Sequence, residues 1–221
     1  MSNSSGFIDY KSEILRKSIH LSSISIPVIY YFIPQSTALI ILTALVVFAF
    51  VVDLTRIYLP SFRSTFNKFF GSLLRQHEID TNKKSLSGAT YVLLSALLCV
   101  AIFPKLIVIT AFSILIISDT AAALIGRKFG KRPFLRKSLV GTFSFFVSAV
   151  IVVLVAPKLQ YSPVEYVIGV IGAGVGAIIE NIVEGVLDDN LAIPISVGAV
   201  MLFLYTVLFP GIKLILPNTP L

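Results

Sequence analysis

Charge is what this chain has least of. Of its 221 residues only 13% are Asp, Glu, Lys or Arg, 56% are hydrophobic, and the mean hydropathy is +0.93. That balance excludes a water-soluble globular domain of this length. A single cysteine, Cys99, excludes an intrachain disulfide and says little about redox compartment; within an apolar run it reads as packing. The sequence has no GxGxxG, no HExxH and no HRD-type kinase set. Its glycine-rich cationic stretch is not a Walker A loop, because only three residues separate Gly126 from Gly130 and Arg132 follows the Gly-Lys pair. Soluble NTPase machinery is thereby excluded. No low-complexity tract and no internal repeat is visible, which argues against the paired halves of a transporter. No small-residue cleavage site follows Asp9, Lys11, Glu13, Arg16 and Lys17, so no cleaved signal peptide is expected.

What is there is apolar and continuous. A helix crosses the hydrocarbon core with roughly 20 apolar residues, and seven runs meet or approach that length, at about 19–34, 36–53, 87–103, 106–126, 139–156, 164–187 and 191–209. The first is short and contains Pro27. None shows the ten-residue alternation of a membrane barrel. The expectation is an all-α, polytopic transmembrane bundle, one membrane domain over residues 1–221.

Seven spans sort the basic residues. Lys11, Arg16, Lys17, Arg56, Arg63, Lys68, Arg75, Lys83, Lys84, Arg127, Lys128, Lys131, Arg132, Arg136 and Lys137 fall on one side, and Lys105, Lys158 and Lys213 on the other. By the positive-inside rule the N-terminus and the basic loops are expected in the cytoplasm. The net charge of +7 is first a topology signal, and it asks for no nucleic-acid partner. Within the second cytoplasmic segment, "RIYLPSFRSTFNKFFGSLLRQ" repeats Phe62, Phe66, Phe69, Phe70 and Leu73 at helical spacing among cations, which suits an amphipathic helix lying in the membrane interface.

Acids at membrane depth cost a few kcal/mol each and are functional by default. Asp53, Asp119, Glu180 and Glu184, with Asp188, Asp189 and Asn190 just beyond, all map to the cytoplasmic ends. At about 100° per residue, Gly169, Ala173, Gly176, Glu180 and Glu184 share one face, and Asp119, Ala123 and Gly126 share another, with no bulky side chain shielding the aspartate. A helix–helix hydrogen bond or ion pair would account for any one of these acids. Beside "GRKFGKRPFLRK", six cations within eleven positions, the group looks like a nucleotide-phosphate site: charge and glycine N–H groups for an anion, carboxylates for a divalent metal. Asp53 and Arg56, three apart, read as an ion pair.

In register, "RKSIH", "LSGATY", "SDTAAALIGRKFGK", "KSLVGT" and "ENIVEGVLDDNLAIP" resemble the CTP-dependent lipid-alcohol kinases, namely the dolichol, phytol and farnesol kinases and the CTP-dependent diacylglycerol kinase. The likeness runs from about Arg16 to Pro194 and is to the shorter, phytol-kinase-like type. It implies transfer of the γ-phosphoryl group of CTP to a lipid hydroxyl, with Mg²⁺ or another divalent cation as cofactor. Asp119, Gly126 and Gly130 match a D-x-x-A-x-x-x-G-x-x-x-G element. Lys137, Ser138 and Gly141 match K-S-x-x-G-S, with Thr142 in place of the last Ser, and Glu180, Glu184, Asp188, Asp189 and Asn190 match a terminal acidic element. On this resemblance Lys131 and Lys137 hold CTP phosphates with the glycines, Ser138 and Thr142. Glu184, Asp188 and Asp189 help hold metal, and Asp119 orients or deprotonates the lipid alcohol, with the roles of Asp119 and Asp189 exchangeable. Arg16 and His20, one turn apart, could cap the site; Lys84 and Asn190 could support it.

A CDP-lipid synthase, attacking the α-phosphoryl group and releasing pyrophosphate, would use the same cations and acids. A transporter or anion-binding protein is opposed by the odd span count and by acids confined to one end. A lipid-binding scaffold leaves Glu180 and Glu184 unexplained. The residues leave open which lipid is the acceptor, CTP against ATP, and the oligomeric state.

Overall fold

The computed structural model describes residues 10–74, 78, 84–183, 187–217 and 219–220. The run expected as one span over 19–34 is two helices, α1 (Tyr10–Ser22) and α2 (Ser25–Phe32). The break has a local cause. Ser18 and Ser22 turn their hydroxyls back onto Ile14 O and Ile19 O, the chain tightens through Ser23 N–His20 O and Ile24 N–Leu21 O bonds of 3.0 and 3.1 Å, and Pro27, lacking an N–H, sits in the first turn of α2.

α3 (Gln35–Tyr58) starts after Pro34 and stops before Pro60, which opens α4 (Pro60–Phe70) at a position needing no N–H donor. A short 3₁₀ turn, Gly71–Leu73, follows. α5 (Gly88–Ile102) is capped by Ser87, and α6 (Lys105–Phe129) runs into a two-residue antiparallel hairpin, Pro133–Phe134 with Lys137–Ser138, a small exception to an otherwise helical chain. Ser138 caps α7 (Leu139–Val155), Glu165 reaches back to accept from Ser162 N at the start of α8 (Pro163–Ile182), and Asp188 caps α9 (Asp189–Leu208). α8 ends at Ile182 with Val183 as its C-cap, short of the expected 187; residues 184–186, Glu184 among them, lie outside the described residues.

α3, α6, α8 and α9 are each long and apolar enough to cross a membrane, and α5 and α7 are shorter apolar helices, so this is a membrane protein. α6 is the central helix: Leu106, Ile107, Phe112, Ile114, Leu115 and Ile116 are wholly buried, and α1, α2, α7 and α9 pack around it. α8 wedges between α7 and α9 on its small-residue face. A Cβ at Gly169 would stand 2.4 Å from Val153 Cγ1, and one at Gly176 would stand 3.0 Å from Val197 Cγ2, so these glycines set the helix spacing.

Candidate functional site

Asp119, near the C-terminal end of α6, is 2% exposed. Sequence periodicity leaves it unshielded, but α1 lies across it: Lys17 Nζ donates to Asp119 Oδ2 at 2.5 Å, and His20 Nε2 stands 3.5 Å from the same oxygen. Glu13, 1% exposed, pairs with Arg16 at 2.6 Å and with Arg127 of α6 at 3.5 Å, which fastens the start of α1 to the end of α6. Glu13, Arg16, Lys17 and His20 follow the i, i+3, i+4, i+7 rule, so α1 turns one polar stripe toward α6. That periodicity was available in the sequence, where Lys17 counts only toward topology.

A second cluster forms where the hairpin meets α8. Lys137 Nζ donates to Glu180 Oε1 at 2.6 Å, while Glu180 Oε2 is buried without a hydrogen-bond partner. Asn181, wholly buried, accepts from the backbone N–H groups of Arg136 (2.9 Å) and Lys137 (3.2 Å) and donates to Thr142 Oγ1 at 2.5 Å. One amide therefore fixes the course of the cationic loop and the start of α7; nothing in the helical pattern marks Asn181 for this. Burial alone would lower the Lys137 ammonium, but the carboxylates of Glu180, Asp119 and Asp189 outweigh it and hold the group above the ordinary lysine value of 10.5. Lys137, Glu180, Asp119 and Asp189 thus share one electrostatic field.

The glycines of this region bring α6 and α7 together. A Cβ on Gly126 would lie 3.0 Å from Gly141 Cα, and one on Gly130 would lie 2.3 Å from Gly126 O. Their N–H groups are engaged within the chain, Gly130 to Gly126 O and Gly141 to Ser138 Oγ. Asp188 accepts from Asn190 N and Asn190 Nδ2, and Asp189 also accepts from Asn190 N. Lys131 is exposed on the loop. Lys84 is exposed as well, its ammonium 5.3 Å from the Tyr58 ring centroid. Among the described residues, no group of three His, Cys, Asp or Glu side chains could hold a metal ion.

A cavity of 380 Å³ opens onto Asp119. Its walls are apolar, with Ile19 from α1, Phe66 and Phe70 from α4, Leu73 and Leu74 beyond them, and Val92 and Leu93 from α5. Its polar lining is Arg16, Lys17, His20, Ser23, Glu78, Ser87, Asp119 and Asn190. Two of the α4 aromatics, expected only to anchor the chain, Phe66 and Phe70, are walls of this space; Phe62, Phe66 and Phe70 follow one another at ring separations of 6.0 and 5.0 Å. A long apolar group with one polar end matches such a cavity in chemistry, its polar end meeting the Lys17–Asp119 pair.

Against known proteins, the chain is 34% identical over 191 residues to an uncharacterised protein of Rickettsia prowazekii, covering 85% of this chain and 92% of that one. It is 29% identical over 210 residues to CTP-dependent diacylglycerol kinase 1 of Saccharomyces cerevisiae, covering 84% of this chain and 71% of the kinase. The like-named kinase of Schizosaccharomyces pombe is 29% identical over 209 residues, 88% of this chain and 94% of the kinase. No family model and no solved structure matches.

Proposed function

Because the chain belongs to one family with the Rickettsia protein and is a distant homologue of the two yeast kinases, we propose that it is a CTP-dependent lipid kinase acting on the hydroxyl of a membrane lipid alcohol. The observation that carries the acceptor side is the apolar cavity ending at buried Asp119. The lipid chain lies between α1, α4 and α5, and its hydroxyl meets Asp119. That hydroxyl oxygen attacks the γ-phosphorus of CTP, the bond from phosphorus to the bridging oxygen breaks, CDP leaves with the electron pair, and Asp119 takes the hydroxyl proton. Lys17 pairs with Asp119 and aims it, and gives it up to the hydroxyl when the lipid arrives.

Phosphoryl transfer needs positioning and charge neutralisation more than covalent chemistry. Lys137, held charged by its acidic neighbours, and Lys131 on the same loop supply cations for the phosphates, while Asn181 fixes the backbone that carries Lys137. Mg²⁺ takes one or two carboxylates plus substrate phosphates rather than an all-protein cage. Asp189, in the same field as Asp119 and Lys137, is a carboxylate of that kind. Asp189, with Asp188 and Glu184, would hold the ion, which would neutralise developing phosphate charge. The basic loops favour the cytoplasmic side for the site, where nucleotide is present.

The test is purified protein with Mg²⁺, labelled CTP or ATP in turn, and diacylglycerol, phytol or a polyprenol. CDP plus a lipid monophosphate is the expected outcome. Pyrophosphate in place of CDP would make the chain a cytidylyltransferase, and no turnover with any of these lipids would sink the acceptor assignment.

A further inference from the structure

We propose that Asp53 and Arg56, at the end of α3, are positioning residues for the lipid acceptor, holding two walls of the cavity at their working separation. This rests on the lipid-kinase reading above. The pair is more than a contact between neighbours on one helix. Asp53 is 1% exposed and Arg56 3%. Asp53 Oδ2 accepts from Ser87 N at 2.7 Å, Ser87 Oγ at 3.0 Å and Thr90 Oγ1 at 2.6 Å, which pins the first turn of α5. Its other oxygen accepts from Arg56 Nε at 3.2 Å.

Arg56 then reaches along the returning chain, donating to Glu78 O at 2.6 Å and Ser85 O at 2.9 Å. Its guanidinium carbon stands 5.9 Å from the centroid of Phe66 in α4, and its own carbonyl accepts from Arg63 Nε at 3.0 Å. Ser87 and Phe66 both line the cavity. One buried charge pair thus grips both ends of the segment that leaves α3, forms α4 and comes back to α5.

Stability alone is a weak reason for this arrangement, since well-packed apolar residues in place of a buried ion pair are often neutral or stabilising. The fork of a guanidinium onto two carbonyls specifies the path of the backbone, which an ammonium reproduces poorly. The pair's contacts go to α4, to the start of α5 and to the segment before it, whereas the cations and acids around Lys137 sit on the hairpin and α8. Disturbing the pair should therefore weaken the lipid and spare the nucleotide.

The chain has no tryptophan, so Phe70→Trp places a sole indole on the cavity wall as a reporter of lipid binding that does not depend on turnover. In that background, Arg56→Lys is expected to raise both the lipid KM and the midpoint of the fluorescence titration with diacylglycerol or phytol by about tenfold, the loss of one charge-assisted hydrogen bond. The CTP KM should stay within about twofold. Thr90→Val, which keeps both charges and the side-chain shape, lies off the cavity lining and removes one hydroxyl from Asp53, is the milder variant and should move the lipid parameters by about threefold in the same direction. A lipid midpoint unchanged in both variants, or an equal rise in the CTP KM, overturns the proposal and leaves the kinase reading standing. If no lipid alcohol changes the indole signal and none is phosphorylated, the kinase reading fails and this proposal falls with it.

Discussion

Lys17 and Asp119 are 102 positions apart in sequence and 2.5 Å apart in the fold, with both side chains buried, so the end of α6 that carries the candidate catalytic carboxylate is sealed by a charge from α1. Removing one partner leaves the other buried and unpaired, at a cost of about 3–5 kcal/mol. Lys17→Met and Asp119→Asn are each expected to stop turnover, and Lys17→Met also to lower the melting temperature. The double variant Lys17→Met with Asp119→Leu should recover the melting temperature and remain inactive. Turnover in the double variant would remove Asp119 from the chemistry.

Lys137 gives a pH prediction. Its folded-state pKa is raised, so its stabilisation is fully present below the ordinary lysine value of 10.5 and is lost as pH rises through the higher folded value. The difference in melting temperature between the parent and Lys137→Gln should be constant from about pH 7 to 10 and close only at higher pH. A difference that closes between about pH 8 and 10 would contradict the raised value.

The glycines separate packing from phosphate binding. Gly130→Ala drives a methyl group against Gly126 O and Ser138, and overpacking of this kind costs about 1–3 kcal/mol. The melting temperature should fall, with nucleotide affinity following only as far as the fold is lost. An unchanged melting temperature with a raised CTP KM would assign the glycine to phosphate binding instead.

Filling the cavity should act on one substrate. Ala89 lines it, and Ala89→Leu is expected to raise the lipid KM about tenfold, more for the bulkier acceptor, while the CTP KM holds. Measuring KM for both substrates in the same preparation checks this, and a shift confined to CTP would move the lipid elsewhere.

Several helix starts were legible because continuous apolar runs carry their own ends: the runs expected from about 36, 106 and 164 appear as α3, α6 and α8, with Pro34, Pro104 and Pro163 at their starts. Asp119 and Glu180 stood out as acids at membrane depth, and Lys137 as one cation of a basic loop. Their partners did not, because periodicity assigns a residue to a face and is silent about which helix meets that face. Lys17 and Asn181 become notable only once α1 meets α6 and α8 meets the hairpin. The same limit applied to α4, whose aromatic stripe reads equally well as a membrane anchor or as a wall. The break after Ser22 was missed because hydropathy averages over the serines whose side-chain hydrogen bonds compete with the helix.

α6 is largely enclosed by its neighbours, while α3 presents most of its apolar length outward. A bilayer thicker or thinner than a helix prefers is accommodated by tilting the helices that touch it. Thickness mismatch therefore acts on α3 before α6, and reaches the site through Asp53 and Arg56 rather than through Asp119. On the proposed function, the candidate carboxylate is shielded from the composition of the membrane while the helix carrying Asp53 and Arg56 faces it, so the protein in two membranes of different thickness should keep its chemistry and change its choice of lipid.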